Sequence, residues 1–348
     1  MTPSPVRVAV VGVGDFGRNH VRVWRELPGA TLVGIVDLNP DRAKAVADEF
    51  QTTALSGVSA LRGNVDAVSL AVPTIEHARL GCFLLEQGID LLVEKPIAGS
   101  LDEADALIAS AKRADRILQV GHLERFNPAV VAAEKIVTRP LFFEVHRLGV
   151  FSPRSLDVDV VYDLMIHDLD ILLALLDSPV TDLRAVGIPV ITDKIDIAHA
   201  RLEFASGAVA NLTASRVSTE KVRKMRFFQE HEYISLDFTR QDALRVRVNA
   251  GSDSANRDSA NPFDPSNLAG GLNDSDPRVN FEKLPVAPEE PLRAELREFL
   301  DAVRTRQKPR VDGAAARRAL ALADRVMQGI LEHARRVQLG AFAPQDSR

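Results

Sequence analysis

One cysteine, Cys82, is all that the 348 residues hold, so no disulfide forms within the chain and a site built on several thiolates is excluded. Long apolar runs are also missing: none approaches the ~20 residues needed to cross a bilayer. Blocks of like charge are absent, and the formal net charge is −5. A nucleic-acid binder needs a basic stripe or face, so composition speaks against that partner, and also against a membrane surface. The opening Met1-Thr2-Pro3-Ser4-Pro5 runs directly into a strand-like segment, without the charged start and apolar stretch of a signal peptide. A cytoplasmic location is the expectation. Cys82 lies among Leu80, Phe83 and Leu84, where it reads as a small buried apolar residue rather than a reactive thiol.

What is present is the balance of a soluble globular protein, 46% hydrophobic and 26% charged, in a chain long enough for two cores. The first third alternates β-branched apolar runs (Val6–Val11, Thr31–Val36, Ala67–Ala71, Ile89–Val93, Ile117–Val120) with helical patterns (Phe16–Leu27, Asp41–Phe50, Thr74–Gln87, Leu101–Ala114). Continuous apolar strands separated by amphipathic helices predict a doubly wound parallel sheet covered on both faces. Asn39 before Pro40, and Ser100 with Glu103, read as helix starts, the second as a capping box.

Near residue 125 the pattern changes. Asn127-Pro128 opens another helix, Leu141–Leu148 reads as a strand, and an apolar helix covers about Val160–Leu176. Strand-like stretches follow at 180–191, 196–205, 208–217, 221–230, 232–238 and 242–249, with Ala205–Ala208 as a hairpin turn. Successive strands without helices between them predict a largely antiparallel open sheet, hence an α/β domain at 1–125 followed by an α+β domain at 126–348. Residues 251–277, rich in Gly, Ser, Asp, Asn and Pro, form a long loop that is either mobile or functional. Helical patterns at 288–305 and 313–337 close the chain and have the option of packing back on the first domain.

Chemistry enters at the end of the first strand, in Gly12-Val13-Gly14-Asp15-Phe16-Gly17. The glycine spacing alone is unspecific; following an apolar strand and opening a helix, it is a Rossmann dinucleotide fingerprint. Gly12 permits the tight turn, Gly14 the approach of a pyrophosphate, and Gly17 the packing of helix on strand. The helix N-terminus supplies amides and partial positive charge for the phosphates. Asp37, ending the second strand, is placed to accept the adenosine ribose hydroxyls, which favours NAD over NADP; Arg42 keeps NADP open. Pro73 and His77, on the loop after the third strand, reach toward the nicotinamide end.

The fourth apolar run leads into Glu94-Lys95-Pro96, and a later helix carries Asp163 and His167 four residues apart, on one helical face. Asp163, His167, Asp168 and Asp170 also raise a metal cluster, but adjacent His167 and Asp168 diverge on a helix, and no metal is expected. His122 and His146 read as structural. His167, whose imidazole titrates near neutrality in its unperturbed state, has the residue type of a general base.

With these residues the chain resembles the Gfo/Idh/MocA family. Glu94-Lys95-Pro96 matches its Glu-Lys-Pro motif, Asp163 and His167 its Asp-x-x-x-His motif, and Gly121–Pro128 its linker stretch with Arg125-Phe126-Asn127-Pro128. The resemblance implies an NAD-dependent dehydrogenase oxidising a ring hydroxyl of a sugar or nucleotide sugar. Lys95, Asp163 and His167 become the catalytic set, and Gly12, Gly14, Asp15, Phe16, Gly17, Asp37, Pro73, His77, Glu94 and Lys95 the cofactor contacts. Residues Gly121–Pro128 look most like members that oxidise C3 of a UDP-N-acetylhexosamine; Arg125, Asn127 and Arg154, with Arg147, are then substrate or diphosphate contacts. A non-catalytic dinucleotide sensor and an NAD-assisted glycoside cleavage remain as alternatives. A sheet face in need of cover predicts a homodimer or homotetramer through the second domain.

Overall fold

The computed structural model describes residues 4–152, 158–248 and 279–339. Its elements run β1 (Val6–Val11), α1 (Asp15–Glu26), β2 (Ala30–Val36), α2 (Pro40–Phe50), β3 (Ala67–Leu70), α3 (His77–Glu86), β4 (Asp90–Glu94), α4 (Leu101–Ala114), β5 (Leu118–Gly121) and α5 (Pro128–Glu134). Then come β6 (Phe142–Leu148), a π turn (Val161–Met165), α6 (Ile166–Leu176), β7 (Val180–Ile188), β8 (Ile197–Phe204), β9 (Val209–Ser215), β10 (Val222–Gln229) and β11 (Glu232–Asp237). The last are β12 (Asp242–Val248), β13 (Val279–Lys283), α7 (Pro291–Thr305) and α8 (Gly313–Arg336). They fall into two compact units, one of Met1–Asn127, Leu169–Ile171 and Glu289–Arg325, the other of Pro128–Asp168, Leu172–Pro288 and Val326–Arg348.

In the first unit the sheet is parallel, in the order β2-β1-β3-β4-β5. Beyond β2, Ala54 makes one parallel bridge to Ile35, the remnant of a further strand. That bridge restores the six-position order of a dinucleotide fold, with the reversal of winding between β1 and β3. Along α1 the residues Gly17, His20, Val21 and Trp24 are buried, at the three-and-four spacing of one helical face. Trp24 donates to Ser69 Oγ at 2.8 Å and meets Phe299 of α7 edge-on at 6.3 Å, so the late helix α7 completes the early core. Each large apolar side chain buried there contributes roughly 1.5–3 kcal/mol.

Helix starts follow the residue chemistry. Asn39 accepts from the amides of Asp41 and Arg42, both at 3.0 Å, with Pro40 in the first turn. Ser100 accepts from Glu103 N at 3.3 Å, but Glu103 reaches back to Gly99 N at 2.9 Å, one residue earlier than a capping box predicts.

The second unit carries an eight-stranded sheet in the order β13-β12-β11-β10-β6-β9-β8-β7. Every neighbouring pair is antiparallel except β6 with β9. The predicted turn joins β8 to β9, with Gly207 at φ +85 and Gly207 N bonded to Phe204 O at 2.8 Å. Side chains alternate: Ala198, Ala200, Leu202 and Phe204 of β8 point inward, while His199, Arg201 and Glu203 are exposed. Strand β13 escaped the sequence pattern because only Val279 and Phe281 are apolar and the strand sits at an edge, where a polar stretch can pair. The predicted loop at 251–277 lies outside the described residues.

Candidate functional site

The glycine turn follows β1 at the point where the winding reverses. Gly12 has φ +85, and a Cβ on it would stand 2.5 Å from Ala71 O, so no other residue fits this turn. Gly17 faces the Gly12 carbonyl. Around Gly14 a Cβ would meet nothing within 4 Å, and Gly14 caps α1 without a side-chain hydrogen bond. Open space above the first turn of a helix is what a pyrophosphate requires, so the residues fit the dinucleotide.

Asp37, expected at the adenosine ribose, follows the last residue of β2. Its side chain is 4% exposed, and it accepts from Val13 N at 2.9 Å and Asn39 N at 2.8 Å. Burial alone pushes this carboxyl up, but the Arg42 fork and the two amides outweigh burial and hold it below the ordinary carboxylate range. Arg42, its guanidinium half-exposed, takes the remaining acceptor positions.

At the end of β4, Glu94 and Lys95 take different roles. The Glu94 carboxylate turns inward, with Oε1 3.0 Å from His20 Nε2. Gly121 on neighbouring β5 makes room for it: a Cβ there would lie 2.5 Å from Glu94 Oε1. His77, expected among the cofactor contacts, is buried with both ring nitrogens 2.9 Å from carbonyls, Nδ1 to Pro96 O and Nε2 to Val72 O. It ties the loop after β3 to the segment after Lys95. Desolvation lowers its pKa against the pull of those carbonyls. His20 was not singled out in the sequence; its signal was a place on the buried face of α1, three residues past Gly17.

Beyond β5, His122 is buried with Nδ1 3.9 Å from Asp170 Oδ2, and Arg125 Nη1 lies 3.6 Å from the same oxygen. Burial lowers the His122 pKa despite Asp170. Asn127 is buried, with Nδ2 donating to Glu124 Oε2 at 3.1 Å. From α7 comes Glu295, fully buried, with neither carboxyl oxygen hydrogen-bonded among the described residues. Desolvation first, then the charges of Glu94, Glu298 and Asp170, raise its pKa well above the usual range.

In the second unit, Asp163 and His167 do not share a regular helix. Asp163 lies in the π turn and His167 in the first turn of α6, both half-buried. Arg147, weighed for a diphosphate, is buried and spent on Asp168, with Nε–Oδ2 at 2.9 Å and Nη2–Oδ1 at 2.6 Å. Arg154 lies outside the described residues. Cys82, expected as buried, is half-buried; desolvation raises its pKa more than Ser110 lowers it, which disfavours a thiolate. No helix among the described residues is long and apolar enough to cross a membrane.

Comparison with known proteins agrees with this geometry. Residues 6–122 match the model of an oxidoreductase family with an NAD-binding Rossmann fold, and residues 146–235 match a GFO/IDH/MocA C-terminal domain. A UDP-N-acetylglucosamine 3-dehydrogenase of Acidithiobacillus ferrooxidans is 37% identical over 319 residues, 91% of this chain and 95% of that protein. Its solved structure superposes with a TM-score of 0.84 over 94% of this chain and 98% of that one, at 36% identity. A scyllo-inositol 2-dehydrogenase (NAD(+)) of Bacillus subtilis is 31% identical over 61% of this chain and 68% of its own. Matched in order by both domain models and along nearly its whole length by a relative, the chain belongs to the Gfo/Idh/MocA family of NAD-binding oxidoreductases.

Proposed function

We propose that this enzyme oxidises the C3 hydroxyl of the hexosamine ring of UDP-N-acetylglucosamine. The observation that carries the reading is the 37% identity to a UDP-N-acetylglucosamine 3-dehydrogenase across 91% of this chain and 95% of that one. The inositol dehydrogenase match covers only 61% of this chain.

Bound NAD supplies the hydride acceptor; the protein must orient the sugar and manage one proton. Lys95 is assigned to the reacting oxygen, where its ammonium stabilises developing negative charge. His167 is assigned as the base. Its Nδ1 is buried, so Nε2 is the atom proposed to take the hydroxyl proton. Asp163 is assigned to orient that ring, and its place in a π turn, a feature that recurs at functional sites, supports the assignment. Among the arginines, Arg125 is assigned to the diphosphate, since Arg147 is spent on Asp168. Asn127, turned onto Glu124, is assigned to hold the Arg125 turn.

We further propose a homodimer or homotetramer through the open face of the sheet. Phe142, Phe228 and Tyr233 are half-buried there, with ring centroids 5.7 Å and 5.1 Å apart in sequence along the row. The dinucleotide requirement and the single reduced cysteine support a cytoplasmic location.

Purified protein incubated with NAD and a panel of UDP-sugars, free sugars and inositols tests the substrate. NADH formation with UDP-N-acetylglucosamine and a 3-keto product by mass spectrometry are expected. NADH formation with free sugars or inositols alone overturns the assignment. Light scattering after size exclusion tests the assembly, a monomer being the adverse result.

A further inference from the structure

The ring of His20 is fully buried on α1, three residues after the last glycine of the cofactor turn. Phe16 of that turn packs edge-on against it at 5.3 Å. Its Nε2 lies 3.0 Å from Glu94 Oε1, and Nδ1 finds no hydrogen-bond partner among the described residues. A buried ring with one polar contact is most economically the tautomer that donates from Nε2 and leaves only a lone pair on Nδ1. The other Glu94 oxygen lies 3.4 Å from the main-chain N of Lys95, and Gly121 leaves the carboxylate a niche that a Cβ would fill. Glu94 is therefore held from α1 and from its own strand end, in the space that Gly121 of β5 leaves open.

We propose that His20 is a positioning residue for Lys95: by donating to Glu94 it locks the strand end that presents the amine, and so links the phosphate-binding helix to the group acting on the substrate hydroxyl. The inference rests on the reading of Lys95 as catalytic. A positioned group displaced by 1 Å loses about 100-fold in rate, so the lock has a measurable consequence. Other charged or titratable groups acting on the same place are His77 from α3, His122 after β5 and Glu295 from α7.

The test compares His20→Phe, which keeps the ring but loses the donor, with His20→Gln, whose amide reaches the Nε2 position. Turnover is measured with NAD and UDP-N-acetylglucosamine. NADH affinity is measured by fluorescence, and Lys95 is followed by NMR after reductive methylation, its signal assigned by loss in Lys95→Arg. His20→Phe is expected to lower kcat roughly 10- to 100-fold. Its NADH Kd should stay within about threefold, and the Lys95 titration should move; His20→Gln should restore both toward wild type. An unchanged kcat and an unchanged Lys95 titration in His20→Phe overturn the inference, and so does equal damage in both variants. Should His20→Phe fail to fold, Glu94→Gln removes the acceptor instead and is expected to move the same two readouts; their constancy is equally adverse. Wild-type turnover in Lys95→Met overturns the catalytic reading itself, whereas an inert Lys95→Met beside an unperturbed His20→Phe overturns only the positioning role.

Discussion

Arg42 grips Asp37 with both prongs of its guanidinium, Nε to Oδ2 at 3.1 Å and Nη2 to Oδ1 at 2.8 Å, at the carboxylate proposed to receive the adenosine ribose. A carboxylate has about four acceptor sites, and the amides of Val13 and Asn39 hold the other two. Ribose and Arg42 therefore compete. Arg42→Ala is expected to tighten NADH a few-fold, since Asp37 is then free for the ribose, and to weaken NADPH about tenfold, since the variant lacks the guanidinium that would meet a 2′-phosphate. Asp37→Ala should weaken NADH by on the order of tenfold, about 1.4 kcal/mol, and relax discrimination against NADPH. Fluorescence titrations decide it; equal losses of both cofactors in Arg42→Ala would show that Arg42 holds rather than gates.

Lys95→Met and His167→Ala are each expected to lower kcat by roughly three orders of magnitude while leaving NADH affinity within a few-fold, because both are assigned to the reacting oxygen rather than to the dinucleotide. Steady-state kinetics with a parallel binding titration measure this. Wild-type rates in both variants would remove the proposed catalytic set.

Glu295 links pH to stability. Its folded pKa is raised above the unfolded value, chiefly by desolvation, so the folded state binds the extra proton. Its contribution is therefore greatest below the ordinary carboxylate range, and it declines as pH rises toward the folded pKa. The slope is about 1.4 kcal/mol per pH unit within that window. Glu295→Gln removes the ionisation, and urea unfolding from pH 5 upward should show the variant gaining on wild type as pH rises. Parallel curves would mean an ordinary carboxylate.

Asp196 has the opposite sign. It accepts from the amides of Val190, Ile191 and Thr192 at 2.7–2.8 Å. Burial alone would raise its pKa, yet these bonds bring it down from 3.8 to about 2. Its stabilisation is complete above the unfolded pKa and is lost as pH falls through the folded one. Asp196→Asn should cost about 2 kcal/mol at neutral pH and little at the acid end. Unfolding curves at both pH values check this, and a pH-independent loss would point to packing instead of charge.

Much of the site was legible in the chain. The glycine turn, Asp37 and the Asn39 cap are local devices, each fixed by a few neighbouring residues, and they stand where spacing put them. Asp163 and His167 were found by motif in a helical segment, but the π turn that carries Asp163 was not foreseen, because it is invisible to a rule that assumes 3.6 residues per turn. His20 and Glu295 went unnoticed for another reason. Glu295 has no distinctive neighbour in sequence and His20 only its place three residues past Gly17, and each acquires meaning by meeting Glu94, 74 residues from His20 along the chain.

Order along the chain thus settled the alternation of strands and helices, the dinucleotide turn and the acid at the end of β2, since hydrophobic period and local hydrogen bonding act over a few residues. Folding in three dimensions decided which charges are paired. It spent Arg147 on Asp168, turned Glu94 onto His20, brought α7 from the far end of the sequence onto α1, and buried the Glu295 carboxyl without a hydrogen bond among the described residues. Burial and long-range contact set those outcomes, and neither is a property of any short stretch of residues.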